Sequence, residues 1–373
     1  MKVMLIFGTR PEAIKMCPLI IELKKHSEIE TIVCLTGQHR EMLQQVMDVF
    51  HIRADENLDI MKRGQTLSDI TSRVMLGIDG EISKYHPDVI LVHGDTTTSF
   101  AAAISAFYHH VQVGHVEAGL RTYDLDSPFP EELNREAVDL VTKFYFAPTE
   151  ITKKNLLNEG KNPNNIYVTG NTVIDALSTT VSEKYHSDDL DWASDSRLIL
   201  LTAHRRENLG EPMEHIFSAV NQITRENPDV KIIFPVHKNP VVRKIAHQYF
   251  DENPKVRLVE PLDVLDFHNY MAKCYLIMSD SGGVQEEAPA LGKPVIVLRN
   301  TTERPEGIEA GTLKLAGTDK DNIYQAVTEL LKDSKLYEKM SLAINPYGDG
   351  HASEKIVEVL LTYAKGIDRS SIL

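Results

Sequence analysis

The stretch KVMLIFGTRPE, residues 2–12, decides how the rest of the chain is read. After its lysine, Lys2–Phe7 is continuously apolar, without the in–out alternation of a strand that has one wet face. Such runs belong to parallel strands covered on both faces. The polar turn GTRPE at 8–12 follows, and then a helical pattern over Ala13–Lys25, in which Pro18 implies a late start or a kink. Strand, polar turn and helix in that order form the unit of a doubly wound sheet. Ligands of such sheets lie beyond the carboxyl ends of the strands.

The unit repeats outward from there. Thr31–Leu35, Val89–His93, Val111–Val116, Phe144–Phe146 and Ile166–Val168 read as strands. Helical patterns lie between them, over Arg40–Phe50, Leu67–Tyr85, Ser99–Tyr108, Glu132–Val141 and Ile151–Asn158. Residues 184–197, KYHSDDLDWASDSR, are polar and aperiodic and read as a linker. A second alternation follows, with strands at Leu198–Leu201, Lys231–Phe234, Val256–Val259, Tyr275–Met278 and Pro294–Leu298, and an amphipathic helix at Ala352–Ala364. The expectation is an α/β protein of two doubly wound domains with the ligand in the cleft between them.

Bulk properties narrow the function. The 373 residues suffice for two ordinary domains, and 42% hydrophobic with 25% charged residues is globular composition. The net charge of −14, from 40 Lys+Arg against 54 Asp+Glu, argues against nucleic-acid binding, which draws on basic residues to neutralise phosphates. Cys17, Cys34 and Cys274 form no CxxC, so neither disulfides nor a zinc cage are expected. No run approaches the ~20 apolar residues of a membrane span. The first apolar run is too short for a signal sequence. A soluble, reduced, cytoplasmic protein is the expectation.

Five polar clusters stand at the expected strand ends: GTRPE (8–12), HGDTTTS (93–99), HVEAGLRT (115–122), TAHRREN (202–208) and SDSGGVQEEAP (279–289). In the last, Gly282 and Gly283 let backbone N–H groups approach an anion, Ser281 can donate a hydroxyl, and the following helix aims its positive end at the site. Glu286 and Glu287 in its first turn suit either the helix dipole or two ribose hydroxyls. Neither a GxGxxG after the first strand nor a Walker A lysine motif is found. Arg10, Lys15 and Arg304 are the cations that could meet a diphosphate. Asp95, Glu117 and Glu131 are the acidic candidates, and His115 and His204 the potential acid/base imidazoles. If the strand continues to 117, the side chains of His115 and Glu117 point the same way. With no third ligand placed beside them, no metal is expected.

Together these clusters resemble one family, the non-hydrolysing UDP-N-acetylglucosamine 2-epimerases. VHGDTTTSF (92–100), GHVEAGLRT (114–122), SPFPEELNRE (127–136), VTGNTVIDAL (168–177), TAHRRENLGEP (202–212), SDSGGVQEEAP (279–289), TTERPEGIEAGT (301–312) and NPYGDGHAS (345–353) follow GTRPE in the family's order. The resemblance implies two Rossmann-like domains in a GT-B arrangement, with an N-terminal domain over 1–183 and a C-terminal, UDP-binding domain over 198–351. The last helix, 352–373, would pack back on the first domain. It implies interconversion of UDP-GlcNAc and UDP-ManNAc through anti elimination of UDP to 2-acetamidoglucal, with no cofactor. By resemblance Asp95, Glu117 and Glu131 line the sugar site and His204 lies by the diphosphate. Ser281, Gly282 and Gly283 bind phosphate, Glu287 clamps the ribose, and Arg10, Lys15 and Arg304 are further UDP-side contacts. Some relatives bind a second UDP-GlcNAc as activator, and the matching positions are Gln38, Gln65, Glu131, Arg205 and His237, while Glu41 and Gly64 depart from the Gln and Arg found nearby in some relatives. The family also implies a homodimer and a product that supplies cell-surface polysaccharide. A GT-B glycosyltransferase using the same donor, a hydrolysing epimerase and a non-catalytic nucleotide-sugar sensor are the competing readings.

Overall fold

The computed structural model describes residues 1–38, 40–62 and 64–366. The chain forms two compact units, Met1–Thr179 with Tyr347–Leu373, and Thr180–Pro346. Each is built on one wholly parallel sheet.

The first sheet holds seven strands: β1 (Lys2–Phe7), β2 (Glu30–Leu35), β3 (Glu56–Asn57), β4 (Val89–His93), β5 (Gln112–Val116), β6 (Thr142–Ala147) and β7 (Ile166–Val168). Their order is β3-β2-β1-β4-β5-β6-β7. From Val3 to Phe7 the first strand is fully buried, as a strand with helices on both faces must be. The order reverses between β1 and β4, which opens a crevice at their carboxyl ends. The residue after β1 is Gly8, and a Cβ there would lie 1.9 Å from Thr36 Oγ1, so only glycine lets the turn pass β2 this closely.

The first helix runs Arg10–Leu23, with Pro18 inside it, and so starts three residues earlier than the sequence suggests. Its start is fixed by a reciprocal cap, in which Thr9 accepts from the Glu12 amide and the Glu12 side chain bonds back to the Thr9 amide. Pro11 in the first turn adds a preset φ. Buried Glu12 does more than cap: its carboxylate accepts from the Gly8 amide at 3.0 Å, Thr9 Oγ1 at 2.8 Å, Thr96 Oγ1 at 2.6 Å and Ser99 Oγ at 3.2 Å. One side chain thereby joins the turn after β1 to the turn after β4, across the switch point.

The second sheet orders β8 (Arg197–Thr202), β9 (Val230–Pro235), β10 (Val256–Val259), β11 (Leu276–Ser279), β12 (Val295–Val297) and β13 (Leu313–Leu315) as β10-β9-β8-β11-β12-β13. Its order reverses between β8 and β11. The unit begins at Thr180 and ends at Pro346, earlier at both ends than the 198–351 reading. Residues 184–197 are no linker. Ser187 caps a short helix, Asp188–Trp192, whose Leu190 is buried with Ala193 against Leu198 and Tyr270 of the second core. Tyr185 and Tyr270 anchor the segment through bonds of 2.6 Å to Asp266 and 2.9 Å to Asp189. A few apolar residues at irregular spacing hold it down, which periodicity does not register.

From Tyr347 the chain belongs to the first unit again, its carbonyl accepting from the Asn171 amide at 2.7 Å. The helix Ala352–Ala364 lies against the helix Arg10–Leu23 and buries Ile356, Val357 and Leu360. Its first amides, Ala352 and Ser353, donate to the Asp175 carboxylate at 3.2 and 2.6 Å. The expected extension to 373 includes residues 367–373, which lie outside the described residues.

Candidate active site

In the first unit, β5 stops at Val116 and Glu117 takes φ +70°, a conformation that costs a non-glycine residue about 1–2 kcal/mol. Its amide and that of Ala118 both bond to the Phe146 carbonyl at 3.1 Å, which holds the turn against β6. The strand therefore does not continue to 117, and its alternation does not relate His115 to Glu117. Glu117 is 8% exposed at its side chain, and Oε1 meets the Lys15 ammonium and, at 2.8 Å, Asn171 Nδ2. On the other side, Oε2 lies 3.6 Å from Nε2 of buried His93. A Cβ at Gly94, φ +62°, would come within 3.2 Å of the same oxygen.

Glu117 and Glu131 are both electrostatic neighbours of Asp95. Burial pushes the Asp95 carboxyl above its ordinary value, and the charges of Glu117 and Glu131 add to this while Arg135 and Lys15 oppose it. Arg135 Nη2 sits 2.6 Å from Asp95 Oδ2, and Asn134 Nδ2 holds the Asp95 carbonyl at 2.8 Å. Half-buried Glu131 opens the helix Glu131–Val141. Its neighbour Glu132 is buried and structural, accepting from the amides of Thr122 and Tyr123 at 2.7 and 2.8 Å. Arg10 starts the first helix at the end of β1, half-buried.

Both ring nitrogens of His115 are engaged within the fold. Fully buried, its Nδ1 lies 2.7 Å from Asp139 Oδ1 and its Nε2 2.8 Å from the Gly94 carbonyl. Asp139 also accepts from Arg121 Nη2 at 2.7 Å. Burial alone would raise the Asp139 carboxyl, but His115 and Arg121 outweigh it and hold the group below the usual carboxylate range. The ensemble braces the turns after β4 and β5.

In the second unit, Asp280 at the end of β11 organises the TAHRREN turn after β8. Its Oδ2 accepts from the amides of His204 and Arg205 at 2.8 and 2.9 Å and from Asn208 Nδ2 at 3.0 Å. Oδ1 lies 3.3 Å from His204 Nδ1 without a formed hydrogen bond. The His204 ring stacks on His237 with centroids 5.5 Å apart. Burial lowers its pKa, with His237 and Arg205 adding to that and Asp280 opposing.

Ser281 precedes the helix Gly282–Ala290 and makes no side-chain cap bond of its own. Space beside Gly282 is walled by guanidinium groups: from the position of a Cβ there, Arg205 Nη2 is 3.7 Å and Arg304 Nη2 3.9 Å away. Glu303 Oε2 is 3.9 Å from the same point, and Glu303 also pairs with Arg299 at 3.3 Å. Two guanidinium groups, an amide-rich helix start and glycine make an anion site. Of the two adjacent glutamates, Glu286 is buried and bonded to Arg304. Glu287 faces Gly283, Oε1 being 3.1 Å from its Cβ position, and lies 3.2 Å from Nε2 of buried His268, whose Nδ1 is 2.6 Å from Thr180 Oγ1.

Of the positions matched to a second nucleotide site, His237 and Arg205 lie beside His204 and Gly282. In the first unit Gln38 accepts from Thr98 Oγ1 at 3.3 Å, and Gln65 bonds to the Ile60 carbonyl at 2.9 Å and the Lys62 amide at 2.5 Å. Among the described residues no group of three His, Cys, Asp or Glu side chains is placed to hold a metal ion, and no helix is long and apolar enough to cross a membrane.

Comparison with known proteins gives one answer. The family model for UDP-N-acetylglucosamine 2-epimerase matches residues 21–361. The UDP-N-acetylglucosamine 2-epimerase of Bacillus subtilis is 59% identical over 361 residues, covering 97% of this chain and 95% of that protein. A crystal structure from Listeria monocytogenes superposes with a TM-score of 0.95 at 53% identity, covering 99% of this chain and 98% of that one. The Neisseria meningitidis UDP-GlcNAc 2-epimerase bound to UDP-GlcNAc gives a TM-score of 0.88 at 48% identity, covering 97% of this chain and 100% of that one. The chain belongs to the UDP-N-acetylglucosamine 2-epimerase family.

Proposed function

We propose, from that family membership, that the protein interconverts UDP-GlcNAc and UDP-ManNAc by inverting C2 of the sugar, with no nicotinamide or metal. The C2 proton has no adjacent carbonyl to acidify it. It becomes acidic only as the C1–O bond to UDP breaks and positive charge grows at C1. UDP leaves with the bonding electrons, a carboxylate takes the C2 proton, and the C1–C2 double bond of 2-acetamidoglucal forms. UDP then returns to C1 while a proton reaches the opposite face of C2.

The observation that carries this reading is the trio of carboxylates at the switch-point edge of the first sheet, differently prepared. Glu117 is paired with Lys15 and Asn171, which suits a base. Asp95 is pushed towards its protonated form by burial, which suits the acid that delivers a proton. Two carboxyl groups with environments that separate their proton affinities are the mark of an acid–base pair. Glu131 adds negative charge for the cationic sugar. The second unit holds the nucleotide, with Arg205, Arg304 and the Gly282 helix start meeting the diphosphate, His204 beside it, and Glu287 on the ribose hydroxyls. Arg10 supplies further positive potential for the leaving UDP.

The same reading includes UDP-GlcNAc as an activator through Gln38, Gln65, Glu131, Arg205 and His237. It includes a homodimer as well, supported by exposed Leu76, Phe107, Tyr108 and Leu140 on consecutive helices of the first unit. It places the enzyme in the cytoplasm, consistent with three buried free cysteines, making ManNAc units for surface polysaccharide. Incubation with UDP-GlcNAc alone in D2O, followed by proton NMR, tests the function. UDP-ManNAc should accumulate to a fixed ratio, with deuterium at C2 of both sugars. Free ManNAc with UDP would favour the hydrolysing reaction. Unchanged UDP-GlcNAc that turns over only with an acceptor would favour a transferase.

A further inference from the structure

We infer that His93 is a positioning residue for proton transfer at Glu117: a neutral imidazole whose Nε2 accepts from the Glu117 carboxyl once it is protonated. The inference rests on the reading of Glu117 as the base.

A base at C2 must be comfortable in two states, carboxylate and carboxylic acid. The partners on Glu117 Oε1 suit only the first. Lys15 offers an ammonium, all donors and no acceptor, and Asn171 offers Nδ2, also a donor. The group beside Oε2 is different. His93 closes β4, is 4% exposed, and places Nε2 3.6 Å from Oε2. Among the described residues that nitrogen has no hydrogen-bond partner. Leaving a buried polar atom unpaired costs about 1–3 kcal/mol, so its retention calls for a reason.

Charge state supplies the reason. Burial drives the His93 pKa down to about 3, and Lys15 and His115 add to this, against the opposing charge of Glu117. The ring is therefore neutral, with one N–H and one bare nitrogen. With the ring proton on Nδ1, Nε2 is bare and accepts from the acid. Lys15 can only donate and Asn171 Oδ1 accepts from the Val173 amide at 3.2 Å, so of the three side chains named here only His93 offers Glu117 an acceptor. When the C2–H bond breaks and an O–H bond forms on Oε2, the new proton points at Nε2 and stays on the oxygen. No charge moves onto the ring, which burial would penalise. The 3.6 Å gap in the free protein then closes to hydrogen-bond length, as catalytic hydrogen bonds often do once substrate is bound.

The test uses two variants of the full-length enzyme. His93→Leu removes donor and acceptor; His93→Asn keeps an amide able to present either. Turnover and C2 deuterium exchange in His93→Leu should fall about 100-fold, with UDP affinity within about twofold of wild type, and His93→Asn should recover to within about tenfold. Turnover of His93→Leu within about threefold of wild type would overturn the inference. So would an Asn variant as impaired as the Leu variant, or a loss of UDP affinity in step with turnover. If His93→Leu does not fold, His93→Ala with added imidazole replaces it, and absence of rescue counts against the role. Glu117→Gln is measured alongside. Full turnover there removes Glu117 as base, whereas an inactive Glu117→Gln beside an unimpaired His93→Leu removes His93 alone.

Discussion

The two sheets carry their polar edges in opposite ways. In the first unit the edge is dry and internally paired, with Glu117 8% exposed and both His115 and Asp139 fully buried. In the second unit it is wet: side-chain exposure is 40% for His204, 34% for Arg205 and 47% for Glu303. Coulomb interactions are several times stronger in the first setting than in the second, where water and salt screen them. A dry edge can fix where a proton goes, at the cost that each member depends on the others. A wet edge recognises charge by the number of its groups, and no single group decides the outcome.

Removing the carboxylate at the centre of the dry edge should have the largest effect. Glu117→Gln is expected to lower turnover by about 1000-fold or more, at the upper part of the range for acid–base groups. UDP affinity measured by calorimetry should stay within about twofold. Equal losses in both would mean the two edges are not divided between chemistry and binding. Next comes Asp139→Asn, which strands a buried guanidinium and imidazole. Breaking such a buried ionic group costs about 3–5 kcal/mol, and at about 2–4 °C per kcal/mol the melting temperature should fall by roughly 10 °C. Because the Asp139 carboxyl is held below its ordinary value, its stabilisation is present above the ordinary carboxylate range and is lost as pH falls through its folded value. The gap in melting temperature between wild type and variant should therefore narrow in acid.

Substitutions at the wet edge should do less. Glu287→Ala is expected to weaken UDP binding by about tenfold, the equivalent of 1.4 kcal/mol, with a fall of only a few °C in melting temperature in the absence of nucleotide, from the His268 nitrogen left unpaired. An unchanged affinity would remove Glu287 from the ribose. The smallest effect, and the one with the least obvious sign, is that of Glu303→Gln. Glu303 lies among Arg205, Arg299 and Arg304, and these outweigh burial to hold its carboxyl below the ordinary value. As an internal anion competing with the diphosphate, it should on removal tighten UDP binding by about twofold to threefold at low salt, the gain fading as ionic strength rises. Weaker binding would mean that Glu303 serves to hold the arginines in place.

Much of this was legible in the amino-acid sequence. Continuous apolar runs located the principal strands, and polar clusters at their ends picked out Asp95, Glu117, His204 and Ser281–Gly283 as candidates, because a doubly wound sheet presents such positions on one edge. Two outer strands go unseen: Glu56–Asn57 is only two polar residues long, and Leu313–Leu315 is interrupted by Lys314. What the sequence hides is the second half of each pairing. Glu12 carries a visible capping signature with Thr9, but nothing local announces its bond to Thr96, 84 residues away. Asp280, Asp139, His268 and His93 are buried polar residues whose partners likewise lie far along the chain, and a one-dimensional pattern holds no trace of them. His115 could be read only as a candidate acid/base group for the same reason, since its reason for being polar is Asp139, 24 residues on. The segment 184–197 hid a packed helix because composition dominates short irregular stretches.

The return of the chain to the first unit at Tyr347 has a consequence for biosynthesis. A ribosome makes the whole of the second unit before it makes the helix that completes the first. At about 5–20 residues per second, the interval is roughly ten to thirty seconds. Throughout it, the apolar face of the helix Arg10–Leu23 and the Asp175 carboxylate lack the segment that covers and satisfies them. The newborn chain thus carries one defined uncovered patch until its last helix emerges, while the second unit already has its whole sequence.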